Sequence, residues 1–181
     1  LLKIFTTQLL GVFNTIQANN EMEIEDSARL IAQTLISEGK VYVHECGISH
    51  GIAGEAVSGK NRLPKTDLLI KEGYTAEVDV ADCVIISTDA AESHNALILT
   101  EQLKEKGCTV IGISGCEAEG ESLFKDIVDV HLNYGKNSPI VPLNDHKKIG
   151  QPSAVAALYT YYILYLTIME ILDEQDFLRI L

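Results

Sequence analysis

Between Leu1 and Ala18 the apolar positions Ile4, Phe5, Leu9, Val12, Phe13 and Ile16 recur at the spacing of one helical face, and Asn19-Asn20 ends the stretch. A second amphipathic helix is predicted from Ile24, Ala28, Leu30, Ile31, Leu35 and Ile36, with Gly39 where a C-cap belongs. Then the pattern changes. Lys40 to Cys46 reads as a β-branched and aromatic strand, followed by Gly47-Ile48-Ser49-His50-Gly51 and a helix from Gly51 to Val57. Asp67 to Ile70 is a short apolar run, Asp82 to Thr88 and Cys108 to Ser114 are continuous apolar strands, and Val128 to Leu132 is a weaker one. A helix from Asn95 to Lys106, stopped by Gly107, separates the two strongest strands. Uninterrupted apolar strands alternating with helices mark a parallel sheet buried on both faces, so the chain reads as one doubly wound α/β domain. Its parts are a helical segment 1–38, an α/β core 39–135 and a closing helix at about 152–175 within a single domain 1–181.

That closing helix is nearly all apolar from Ala154 to Leu172, about the length that spans a bilayer. It also carries Thr160, Thr167, Glu170 and the tyrosines Tyr159, Tyr161, Tyr162 and Tyr165, which are not confined to its ends as interface aromatics are. The reading adopted is a buried helix, apolar all round because it meets the sheet on one side and a second subunit on the other.

Composition narrows the partners. Hydrophobic residues make up 46% of 181, enough for a packed core. A net charge of −12 argues against nucleic acid, which needs clustered Lys and Arg. Cys46, Cys83, Cys108 and Cys116 show no C-x-x-C spacing and are expected as reduced core thiols of a cytoplasmic protein. Leu1 to Thr6 lacks the features of a signal peptide.

In an open parallel sheet, ligands bind at the carboxyl ends of the strands, where strand order reverses. That rule selects the loops after Cys46 and Thr88, both carrying hydroxyl residues and both leading into a helix start that suits an anion. Neither a dinucleotide fingerprint nor a P-loop is present. The loop Ser87-Thr88-Asp89-Ala90-Ala91-Glu92-Ser93-His94-Asn95 also reads simply as a strand end followed by a Ser93 N-cap. His44, Glu45, His50 and His94 lack tight ligand spacing, and Tyr42, His44 and Cys46 share a strand face distinct from Glu45, so no metal is expected. Lys60, Arg62 and Lys65, and His146, Lys147 and Lys148, form two basic segments that could attract an anion if they fold over the strand ends.

Three segments in order resemble the SIS (sugar isomerase) family of phosphosugar isomerases and binding proteins. They are Val41 to His50 with Glu55 one turn on, Val84 to Thr88 with Ser93-His94-Asn95 and Glu101 to Ile113, and Lys148 to Ser153 before the apolar helix. The match runs from about Ile24 to Leu172 and looks like a small bacterial branch of the phosphoheptose-isomerase type. The resemblance implies a five-stranded parallel, flavodoxin-like sheet, a homodimer or homotetramer, and a small phosphosugar ligand, with no cofactor, membrane or nucleic acid. Its ligand-binding positions are Gly47, Ser49, His50, Ser87, Thr88, Ser93, Asn95 and Ser153. Aldose–ketose isomerisation needs a base to move a proton between C1 and C2, and the resemblance offers Glu55 and His50 as candidates. Two departures stand out. Asp89-Ala90 replaces the family's Ser-Gly, so a carboxylate stands where a hydroxyl should meet phosphate, a clash on the order of several kcal/mol if buried. The closing helix has no His. The alternative to an isomerase is therefore a non-catalytic sugar-phosphate sensor or interaction domain.

Overall fold

The architecture comes from a computed structural model that describes residues 1–48, 50–89, 93–115, 123–135, 138–143 and 147–179. Two helices lead, α1 (Leu2–Asn19) and α2 (Glu21–Ile36). Then come β1 (Val41–Cys46), α3 (Ile52–Ser58), β2 (Thr66–Leu68), β3 (Ile70–Lys71), β4 (Tyr74–Thr75) and β5 (Cys83–Thr88). The second half holds α4 (His94–Glu105), β6 (Thr109–Ser114), α5 (Leu123–Ile127), β7 (Val130–Asn133), β8 (Val141–Pro142), β9 (Lys148–Ile149) and α6 (Ser153–Glu174), then a 3-10 turn, Phe177–Arg179. The expected five-stranded sheet is present, all parallel, in the order β2-β1-β5-β6-β7.

The apolar runs explain its centre. Every residue of β5 is buried, and so are five of the six in β6, because helices cover both faces. Against one face pack Ile24, Ile31 and Leu35 of α2, Ile52 and Ala56 of α3, and Tyr161, Leu164 and Ile168 of α6. Against the other pack Ala96 and Leu103 of α4 and Phe124 of α5, over Val84, Ile86 and Val110. Each fully buried aliphatic side chain contributes roughly 1.5–3 kcal/mol relative to exposure. α5 comes so close to the sheet that a Cβ on Gly112 would lie 2.7 Å from the Phe124 ring.

α6 is long and apolar enough to cross a membrane by length and composition, but here it is a core helix. Ala156, Ala157, Thr160, Tyr161, Leu164, Ile168 and Leu172 line its buried face, while Val155 and Leu166 are exposed. The short run predicted over 67–70 divides: Thr66–Leu68 joins the sheet, and Ile70 turns away into the β3–β4 ribbon. The weak strand begins at Val130 rather than Val128, whose side chain packs with α5. Asn20, between α1 and α2, is buried. Its amide donates to the Ile16 and Asn133 carbonyls and its oxygen accepts the Asn133 N–H at 2.7 Å.

Candidate functional site

Strand order reverses between β1 and β5. The crossover from β1 to β2 runs through α3 on one face, and that from β5 to β6 through α4 on the other. The crevice this opens lies at the carboxyl ends of β1 and β5, where register sets Glu45 beside Ser87 and Cys46 beside Thr88.

Strand alternation turns Glu45 toward α3, together with Val41 and Val43. Its Oε1 accepts the N–H groups of His50 (2.7 Å) and Ile52 (3.3 Å), and its Oε2 accepts that of Ala53 (3.2 Å). Gly51 makes this possible by taking φ +86 at the helix N-cap. The electropositive start of α3, expected from the sequence to face an anionic ligand, is thus occupied by a carboxylate of the chain itself. No local pattern signals this contact, because the N–H groups gather around Glu45 only once α3 folds back on β1.

His50 is 7% exposed, its Nδ1 has no hydrogen-bond partner among the described residues, and its ring stands edge-on to Tyr134, centroids 5.5 Å apart. Burial lowers its pKa, against the pull of Glu45 and Asp89. Ser87 is fully buried and its Oγ likewise has no partner. Thr88 is buried beside it, and its carbonyl accepts the Tyr134 hydroxyl at 3.2 Å. Asp89 turns toward the crevice: its Oδ1 would lie 2.6 Å from a Cβ on Gly47, which has φ +86. Gly47, His50, Ser87, Thr88 and Asp89 therefore converge. Ser49, Ala90, Cys116 and His146 lie outside the described residues.

The remaining candidates lie at α3, α4 and α6. Glu55 Oε1 accepts both the backbone N–H and the side-chain amide of Asn61, at 3.0 and 2.9 Å, and its carboxylate fills the space that a Cβ on Gly59 would need. Asn61 in turn offers its carbonyl to the Tyr161 hydroxyl at 2.6 Å, so Glu55 belongs to a network beyond α3. Ser93 is the half-buried N-cap of α4 without a side-chain capping bond, Asn95 is exposed in the first turn, and half-buried Ser153 opens α6. Lys65 serves the end of α2, donating to the Leu35 and Ser37 carbonyls under the Phe177 ring. Lys60, Arg62, Lys147 and Lys148 are exposed.

Cys46, Cys83 and Cys108 are free, buried thiols, each with its pKa raised chiefly by burial, which disfavours the nucleophilic thiolate. Burial lowers the His44 pKa. Among the described residues no three His, Cys, Asp or Glu side chains gather as metal ligands. One buried pair was not anticipated. Ser114 Oγ and His131 Nε2 lie 2.7 Å apart, with Phe124 edge-on to the imidazole, and burial followed by Lys125 lowers the His131 pKa to about 4. A cleft of about 970 Å³ lies apart from all of these, between α1, α2 and α6. Among the described residues the buried polar side-chain atoms without a hydrogen-bond partner are His50 Nδ1 and Ser87 Oγ at the strand-end crevice and Ser27 Oγ on α2. Two of them fall together at the crevice, which is the candidate site, and none lines that cleft.

Residues 1–172 match the family described as Domain of unknown function (DUF2529). The Bacillus subtilis (strain 168) protein YwjG is 34% identical over 174 residues, covering 96% of this chain and 99% of its own. Among solved structures, a phosphoheptose isomerase from Francisella tularensis superposes with TM-score 0.65 at 18% identity, covering 96% of each chain. The sugar isomerase domain of an RpiR transcription factor from Sphaerobacter thermophilus gives TM-score 0.67 at 18% identity, over 98% of this chain and 95% of that one. At these identities the likeness is one of fold, and it agrees with the segments that resemble SIS domains. The chain is a member of the DUF2529 family, built on the SIS fold.

Proposed function

We propose that the β1–β5 crevice binds a sugar phosphate, with the hydroxyl-rich sugar against His50 and Ser87 and the phosphate at the start of α4. One observation carries the reading. His50 Nδ1 and Ser87 Oγ are buried at the switch point without partners among the described residues, and a buried polar atom left unsatisfied costs about 1–3 kcal/mol. A polyhydroxylated ligand supplies both missing hydrogen bonds. The start of α4, a twelve-residue helix without a side-chain cap, remains open to an anion, whereas the start of α3 is filled by Glu45. The known relatives of the fold, an isomerase and the sugar isomerase domain of a transcription factor, support a phosphosugar as the ligand class. We read the setting as cytoplasmic and the chain as a homodimer or homotetramer.

Within this reading, binding is favoured over isomerisation. Glu55 is held by Asn61, and α6 carries no His. The protein then works as a ligand-responsive domain. Thermal unfolding of the full chain is the test, across pentose, hexose and heptose phosphates. A ligand at a hundredfold excess over its Kd adds about 2.7 kcal/mol, a rise in Tm of about 5–10 °C. Ser87→Ala and His50→Ala are expected to abolish most of that rise. No shift with any of these sugar phosphates at millimolar concentration overturns the reading, and interconversion of an aldose and a ketose phosphate restores the isomerase.

A further inference from the structure

Gly47 and Asp89 are the first residues beyond the paired ends of β1 and β5, so the Cys46–Thr88 register brings them together at the crevice. The Asp89 carboxylate rests on the bare side of Gly47, where any side chain would strike it. Asp89 is half-buried, and no described residue gives it a hydrogen bond or an ion pair. The other carboxylate of the crevice, Glu45, is already compensated by three N–H groups. Two residues before Asp89, within β5, lies Ser87 Oγ, and across the crevice lies Nδ1 of His50, a side chain only 7% exposed; neither atom has a hydrogen-bond partner among the described residues. The charges that act on that imidazole are those of Glu45 and Asp89, both acidic.

A ligand entering here meets a carboxylate, that of Asp89, which no described residue pairs by a hydrogen bond or an ion pair. A phosphate group at that point adds like-charge repulsion to desolvation. A hydroxyl offers one neutral donor. An ammonium offers three donors and the missing positive charge, in a charge-assisted hydrogen bond roughly twice as strong as a neutral one. We propose that Asp89 is the specificity-determining residue of the crevice, selecting a sugar phosphate that carries an ammonium group over its hydroxyl counterpart. This rests on the sugar-phosphate reading above and adds to it which end of the ligand Asp89 holds.

Glucosamine 6-phosphate and glucose 6-phosphate differ only in that substitution, and calorimetric titration of the full chain with each reads the preference directly. The amino sugar is expected to bind about tenfold more tightly or better, the ratio that a hydrogen bond to a charged group supports. In Asp89→Asn the ratio of the two Kd values is expected to fall to within about twofold, and in the wild type it should shrink as salt screens the pair. Asp89→Ser is the companion variant if Asp89→Asn does not fold. Equal affinity of the wild type for both sugars, or a ratio that persists in either variant, removes Asp89 from specificity and leaves the crevice as a sugar-phosphate site. Silence toward these two probes and toward the wider sugar-phosphate panel removes both readings together.

Discussion

His50 and His131 are equally inaccessible, 7% and 9% exposed, and both serve the carboxyl-terminal half of one sheet. Each also meets an aromatic edge-on, Tyr134 in one case and Phe124 in the other. They differ in one bond. His131 completes a hydrogen bond to Ser114, whereas Nδ1 of His50 and the hydroxyl of Ser87 beyond it have none among the described residues. Burial therefore does not separate a histidine that holds the fold from one proposed to meet a ligand. The bond to Ser114 is what sets the two apart, since a buried polar atom without a partner leaves its desolvation cost uncompensated.

The largest expected effect separates the two by pH. The His131 pKa falls from its ordinary 6.5 to about 4 in the folded chain, so between those values the unfolded state binds the extra proton. Stability then rises with pH across that window, and it is lost as pH falls from 6.5 toward 4, by about 3 kcal/mol in all. Urea unfolding at stepped pH reads that loss, and His131→Gln is expected to flatten the slope. A slope unchanged in that variant assigns the dependence to another group. Glu45→Ala comes next. It strips the acceptor from three N–H groups at the start of α3 and is expected to cost about 2 kcal/mol, with Glu45→Gln recovering part. A loss under about 0.5 kcal/mol, the range of an ordinary surface change, shows that water replaces the carboxylate there. The smallest effect is the sharpest contrast. Ser114→Ala orphans His131 Nε2 and is expected to cost about 1–2 kcal/mol, whereas Ser87→Ala breaks no bond and should stay within about 0.5 kcal/mol of wild type. Equal losses in the two serines would erase the distinction.

The sheet was legible in the sequence because its strands are short, continuous apolar runs that only a doubly covered parallel sheet buries. The position of the crevice followed from strand order, and Gly47, His50, Ser87 and Thr88 lie there. What escaped is what depends on where side chains turn. Glu45 sits among histidines in sequence, but its carboxylate closes a helix that starts seven residues later. Lys65 belongs to a basic segment in sequence, yet it caps α2 from thirty residues away. Glu55 sits one turn along α3, as the family pattern implies, but its carboxylate reaches Asn61. The Ser114–His131 pair joins residues whose strands carry no local signal of the contact. Period and composition report burial, but the destination of a polar side chain is a tertiary fact.

Asn20 carries a consequence of another kind. β7 is the last strand of the sheet, and a last strand offers free N–H and C=O groups to any neighbouring chain. By meeting both backbone groups of Asn133, the side-chain amide of Asn20 imitates the peptide of a sixth strand at that point. The junction between the first two helices thus works as a terminator of sheet growth, closing the end of β7 to strand addition. Replacing Asn20 with an apolar residue reopens that end to pairing between molecules, so its cost would fall on solubility as well as on stability.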